Sequence, residues 1–289
     1  MEDMEMKRIL KNILLVSVLC LAASCSLKEE PTFFVNKHNF YKTADQCKAS
    51  LNACYAPLNN IYVADFMIAT EACSDLWRSS SSSGDSSLDV SPSKPQVGAR
   101  VWENCYKGIM YCNEAIANIE TSPIEDNLKA PLAAEGRVMR AMYYYILTSM
   151  FDGVPYYTCM VDSYAVQDSI RYLQRTPADT IRMRLYKDLR DNAIPYFTDE
   201  NGLKVRGGDA PNNRSGYAHG LMLMAKFAMW NQEWEMALAP LDSLEKLYGD
   251  LSEASYPLHE VQWRYKNTAE SIFEIQHEYS RDGVRYYGN

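Results

Sequence analysis

The chain has 289 residues, of which 47% are hydrophobic and 23% charged, and its 29 Lys+Arg against 37 Asp+Glu give a formal net charge of −8. That composition sustains a sizeable core and excludes a chain kept disordered by low hydrophobicity. The acidic balance argues against a nucleic-acid partner, whose phosphates require concentrated positive charge. Aromatic usage is lopsided, with 21 Tyr and 5 Trp against 8 Phe, a choice that suits wet-edged cores and binding surfaces because Tyr and Trp join a flat apolar face to a polar handle.

Lys7, Arg8 and Lys11 precede the apolar run Ile13 to Leu21, and Ala22-Ala23-Ser24 lead into Cys25. A basic segment, a short apolar segment and small residues before a cleavage point are the parts of an export signal. The run is shorter than the ~20 apolar residues a membrane-spanning helix needs. Being the one such stretch, it leaves no room for a multi-spanning membrane protein. Cys25 after Ala-Ala-Ser resembles a lipobox, in which the new N-terminal Cys carries lipid; Leu21 stands four residues before Cys25, where three is usual. The lipidated reading is preferred over plain secretion. The acidic Ser-Leu-Lys-Glu-Glu at 26–30 resembles a surface-export signal of some Gram-negative lipoproteins. Acyl chains anchor by burying methylenes at ~0.8 kcal/mol each. Residues 1–24 carry three positive and three negative groups, so their removal leaves the charge at −8.

Six cysteines follow Cys25, at 47, 54, 73, 105, 112 and 159. An even number in an exported chain invites a disulfide reading. Yet Cys47/Cys54 and Cys105/Cys112 are each seven apart, which on a helix separates them by ~10.5 Å along the axis, beyond disulfide reach. Small buried hydrophobes are the better assignment. No CxxC or His/Cys cluster suggests zinc.

From Thr43 onward the pattern is helical. Thr43 and Gln46 have the spacing of a capping box, and Cys47, Leu51, Cys54, Leu58 and Ile61 form a stripe that Pro57 should kink or break. A second stripe is Trp102, Cys105, Ile109, Cys112, Ile116 and Ile119; both have the period of helices packed along one face. A third helix is predicted over roughly 125–150 through Ala134, Val138, Ala141 and Tyr145, stopping at Asp152-Gly153 with Pro155 beyond. Further helices fit 178–194, 215–231 and 233–248, and the best strand candidate is Ser271 to Gln276. In the pair at 215–248, Leu221, Met224, Ala225 and Ala228, then Ala237, Leu241 and Leu244, occupy tetratricopeptide signature positions, with Asn231-Gln232 at the turn. Small residues at 225 and 237 let two backbones approach. No strict repeat runs through the chain, so any repeats are degenerate.

The segment Ala134-Glu135-Gly136-Arg137-Val138-Met139-Arg140-Ala141-Met142-Tyr143-Tyr144-Tyr145, ending Met150-Phe151-Asp152-Gly153-Val154-Pro155, resembles a hallmark of the SusD/RagB family. Trp102 with Tyr106-Lys107-Gly108-Ile109 and Asn113, the helix pair from Gly216 to Ala237, and Ser271 to Gln276 resemble three further family segments in the same order. Gly136 replaces a usual Ala, at a helix-propensity cost of ~1 kcal/mol. Family members continue well past the last segment, whereas this chain stops at Asn289, so a C-terminally truncated product is expected. The resemblance implies a mainly α fold: tetratricopeptide-like helix pairs in a SusD-like superhelix, with long loops and few short strands. It also implies a lipoprotein on the outer face of the outer membrane that captures glycan, or another nutrient, and passes it to a SusC-type TonB-dependent transporter, the repeats facing that transporter.

Chemistry for catalysis is sparse. His38, His219, His259 and His277 are scattered without an HExxH, and neither GxSxG nor a phosphate-cradling glycine loop occurs. Acidic residues are plentiful, but solvated helix faces account for them better than a glycosidase pair. No catalytic residue, metal or cofactor is therefore assigned. Carbohydrate binding needs aromatic faces and planar polar groups. Trp77 beside Asp75 and Arg78, next to Ser79–Ser83, fits best, against the alternative that Trp77 closes the first helix pair. Tyr286 and Tyr287 are a second candidate, because in relatives the region after the strand supplies aromatics. The expected organisation is a lipoprotein signal over 1–24, lipidated Cys25 and an extended tether over 25–42, and the helical domain over 43–289. The leading function is glycan or oligosaccharide binding. The alternatives are a tetratricopeptide-type protein-interaction lipoprotein without a small ligand, a binder of peptides, and last a glycoside hydrolase.

Overall fold

The computed structural model describes residues 40–62, 66–71, 98–197, 214–249, 271–275, 277–279 and 285–287, together with Met6. The chain divides between His38 and Asn39, and the elements below all belong to the part from Asn39 onward.

Helix α1 spans Ala44–Asn60. Thr43 caps it as the spacing predicts: its hydroxyl accepts from the Gln46 N–H at 3.3 Å, and the Gln46 side chain accepts from the Thr43 N–H at 3.3 Å. Pro57 does not break the helix, which runs one turn further with Pro57 on its buried face. So close to the end, the missing N–H removes one of the last helical bonds instead of a central one. The short α2 follows at Phe66–Thr70. Helix α3, Ala99–Glu120, and α4, Asp126–Phe151, are the long central pair. The two stripes read from the sequence are the core: Cys47, Leu51, Cys54, Leu58 and Ile61 meet Cys105, Ile109, Cys112, Ile116 and Ile119, all buried. Trp102 sits at the rim, half-buried, its ring 5.1 Å from those of Tyr106 and Phe151.

Two glycines set how closely these helices approach. A Cβ on Gly108 would lie 2.2 Å from the Tyr143 ring, and one on Gly136 would lie 2.8 Å from Ile116 and 3.3 Å from Leu51. The unusual Gly136 thus trades helix propensity for contact with both neighbouring helices.

After α4 the backbone reverses at Asp152, which takes a positive φ of 58°. Strand β1, Val154–Pro155, pairs antiparallel with β2, Arg175–Thr176, in the register Val154↔Thr176 and Pro155↔Arg175. This small clasp closes an excursion that carries α5, Tyr164–Arg171, a helix with no buried residue. The sequence pattern misses α5 because a short helix without a core face has no stripe to detect. Helix α6, Ala178–Asn192, and a 3-10 turn at Ile194–Tyr196 lead to α7, Tyr217–Trp230, and α8, Trp234–Tyr248. Ala225, Ala228 and Ala237 are buried in this hairpin, and Asn231-Gln232 make its turn, Gln232 with a φ of 61°. Helix α3 packs on α1 and α4, α6 on α4 and α7, and α7 on α8, with α4 also touching α1 and α7.

The strand expected at 271–276 is displaced. Ser271 to Ile275 form no ladder; the described strands are β3, His277–Tyr279, and β4, Arg285–Tyr287, an antiparallel pair with Glu278 opposite Tyr286. The cause is packing: Phe273 and Ile275 lie on the main helical core and Ile272 on a smaller cluster of Ala218, Leu221 and Leu244. Their apolar faces are covered by helices, not by a neighbouring strand.

Cys47, Cys54, Cys105 and Cys112 are free and buried, as the spacing argument expects, and Cys159 is free and exposed. Contact with Cys112, then burial, pushes the Cys54 thiol well above its ordinary range.

Candidate functional site

The motif on α4 distributes its polar residues to two faces. Glu135 points toward α1 and is 0% exposed. It accepts a hydrogen bond from the Tyr55 hydroxyl, while Arg214 Nε donates to Oε2 at 3.2 Å and an Arg214 terminal nitrogen lies 2.9 Å from Oε1. Burial pushes the Glu135 carboxyl up, against the opposing pull of Arg214 and Tyr55. The Ser215 N–H donates to the Tyr55 hydroxyl at 2.8 Å, and Ser215 Oγ lies 2.8 Å from His219 Nδ1. His219 stacks on Phe273 with ring centroids 4.3 Å apart, and burial lowers its pKa to about 3. Ser215 and His219 have the atoms of a nucleophile and a base, but both are buried away from any substrate. This network ties the entry to α7 onto α1 and α4.

The opposite face builds a cavity. Arg137 and Arg140, three residues apart on α4, share Asp188 of α6: Arg137 donates to Oδ1 at 3.0 Å and Arg140 to Oδ2 at 2.7 Å. Arg137 also pairs with Glu120 at the end of α3, and Arg140 donates to Asn113 Oδ1 at 2.9 Å and to the Thr158 carbonyl at 3.3 Å. One helical turn on, the Tyr144 hydroxyl donates to the Tyr157 carbonyl at 2.7 Å and accepts from its N–H at 2.9 Å. Those bonds fix the segment after β1 over the arginines. The space enclosed by α3, α4, α6 and this segment is about 390 Å³, within the range of small-ligand sites. Tyr156 supplies a flat wall, its ring 4.9 Å from that of Tyr144 and 5.6 Å beneath the guanidinium of Arg184. Burial raises the Tyr156 phenol, which therefore remains a hydrogen-bond donor at neutral pH. An aromatic wall beside planar, charged hydrogen-bonding groups is suited to a polar ring ligand.

A second surface lies at the α7–α8 turn, where Trp230 and Trp234 are 51% and 63% exposed beside exposed Leu238. The Arg182 guanidinium lies over Trp230 at 4.9 Å. Among the described residues no group of three or more His, Cys, Asp or Glu side chains could hold a metal.

Of the residues singled out from the sequence, Cys25, Asp75, Trp77 and Arg78 lie outside the described residues, and Tyr286 and Tyr287 are described as backbone of β4. The cavity residues Asn113, Arg137 and Arg140 occur in the family-like segments but carry no periodic or motif signal for a site. Tyr156, Arg184 and Asp188 have no sequence signal at all, since only the folding of α6 against α4 gathers them.

A family model described as "Starch-binding associating with outer membrane", of SusD-like type, matches residues 38–196. The SusD-like protein P25 of Formosa agariphila is 23% identical over 238 residues, covering 76% of this chain and 42% of its own length. Among solved structures, a laminarin-binding SusD-like protein superposes with a TM-score of 0.65 at 22% identity, covering 82% of this chain and 52% of that one. Surface glycan-binding protein A of Bacteroides thetaiotaomicron, in complex with laminarihexaose, gives a TM-score of 0.60 at 19% identity, over 79% of this chain and 48% of that one. The chain thus spans about half the length of these relatives and shares the fold of the two solved ones over that part. It belongs to the SusD/RagB family.

Proposed function

We propose that this protein is a cell-surface lipoprotein of the outer membrane that binds nutrient glycans or oligosaccharides and delivers them to a SusC-like TonB-dependent transporter. The observation that carries this reading is the family match over 38–196, together with a fold shared with laminarin- and laminarihexaose-binding proteins. Lipidation at Cys25 supplies the anchor after removal of 1–24, residues 25–42 form the tether, and 43–289 the helical domain. Asp75, Trp77 and Arg78, with Tyr286 and Tyr287, are the proposed ligand contacts, Trp77 stacking on a sugar ring. The reading is of a binder and not an enzyme.

Affinity electrophoresis of the full chain through gels containing a polysaccharide panel, laminarin included, tests this. At least one glycan should retard migration, and Trp77→Ala should reduce the retardation. No retardation by any glycan, together with tight peptide binding, would replace the glycan with a peptide.

The second reading is a tetratricopeptide-type interaction lipoprotein, favoured by exposed Trp230, Trp234 and Leu238 at a helix-hairpin turn. Exposed aromatic residues that become buried on association dominate many protein interfaces. In a transporter pull-down, Trp234→Ala should lower recovery while Trp77→Ala does not. If binding to the transporter is the sole activity, no glycan will alter recovery.

A further inference from the structure

The cavity between α3, α4 and α6 is lined by residues that keep buried donors without acceptors. Asp188 uses one carboxylate oxygen on Arg137 and Asn192 and the other on Arg140, and Glu120 is paired with Arg137. Asn113, 2% exposed, gives its oxygen to Arg140, and its Nδ2 is buried without a partner. Arg140, 3% exposed, likewise leaves Nε buried without a partner. Arg184 lies at the exposed mouth against the Tyr156 ring, with no acceptor among the described residues. Three guanidinium groups line the cavity with two carboxylates, so one positive charge is uncompensated. A buried donor without an acceptor is costly, and a charge-assisted bond relieves that cost best.

From this geometry we infer an oxyanion site: an anionic oxygen group enters beside Tyr156, takes the free charge of Arg184 and gives the Asn113 amide its missing acceptor. In a glycan the group is the carboxylate of a uronic acid or a sulfate ester. That pair of sources rests on the glycan reading above, whereas the oxyanion itself does not. The cavity holds one such residue and places its ring against the Tyr156 face.

The full chain is titrated calorimetrically, at constant ionic strength, with D-glucuronate, glucose 6-sulfate, neutral methyl glucoside and inorganic sulfate. At least one charged sugar should bind more tightly than the neutral one, and which of the two does so names the source. Arg184→Gln should weaken that binding about tenfold, the loss of one charge-assisted bond, with an unchanged melting temperature in the absence of ligand, because Arg184 contacts only a ring. Asn113→Asp, which turns the free donor into a negative acceptor, should abolish it. Binding of inorganic sulfate with the same Arg184→Gln sensitivity supports the oxyanion site even if electrophoresis shows no glycan retardation, in which case only the glycan reading falls. Equal affinity for the neutral and charged sugars, or charged-ligand binding untouched by Arg184→Gln, would overturn the site.

Discussion

Glu135 and His219 show how single buried groups hold helices of distant sequence together. Removing the carboxylate in Glu135→Ala strands Arg214 and the Tyr55 hydroxyl, so urea unfolding should show a loss of about 3 kcal/mol, the usual result of breaking one side of a buried pair. Glu135→Gln, which keeps an acceptor for Tyr55, should lose less. His219 gives a pH dependence of definite sign. Unfolded, it takes a proton near its ordinary pKa of about 6.5, while in the fold burial holds that value down to about 3. Its contribution is therefore complete above about 6.5 and lost as pH falls toward about 3, to an extent on the order of 5 kcal/mol. The raised carboxyl of Glu135 acts in the opposite direction, its contribution fading as pH rises through its folded pKa. Comparing denaturation midpoints of the protein and of His219→Phe across that window should show the acid slope reduced in the variant. An unchanged slope would remove His219 from the account.

At the level of helices, the approach of α3 to α4 rests on two missing methyls, at Gly108 and Gly136. Tyr143 is fully buried and its hydroxyl donates to the Cys54 carbonyl, so its ring has nowhere to retreat. Gly108→Ala should gain helix propensity yet destabilise by about 1–3 kcal/mol, the range for overpacking a tight core, read as a lower midpoint in urea. The helices themselves were legible in the sequence wherever they have a core face: both stripes, the capping box at Thr43 and the Asn231-Gln232 turn occur where periodicity and turn chemistry place them. Helix α5 and the β1–β2 clasp were not legible. One has no buried side, and the other is two residues per strand, held by pairing partners twenty residues apart. The segment 271–275 has a strand's composition but a core residue's role, because α1 and α7 reach its apolar side chains first.

For the molecule as a whole, the cysteines separate by burial. Native alkylation followed by peptide mass spectrometry should modify Cys159 rapidly and leave Cys47, Cys54, Cys105 and Cys112 intact until denaturant is added, since a thiol buried in the core is closed to the reagent. What the sequence by itself determined is the set of elements with a repeating apolar face and the family resemblance borne on the α4 motif. Hydrophobic periodicity is a local property, readable one helix at a time. Only the tertiary structure decided why Glu135, Arg137 and Arg140 occupy that motif: Glu135 faces Arg214, seventy-nine residues away, and the arginines meet Asp188 on another helix. The cavity beside Tyr156 is likewise a product of folding. Its charges come from three helices, and neither their spacing in the chain nor their residue types announces that they converge.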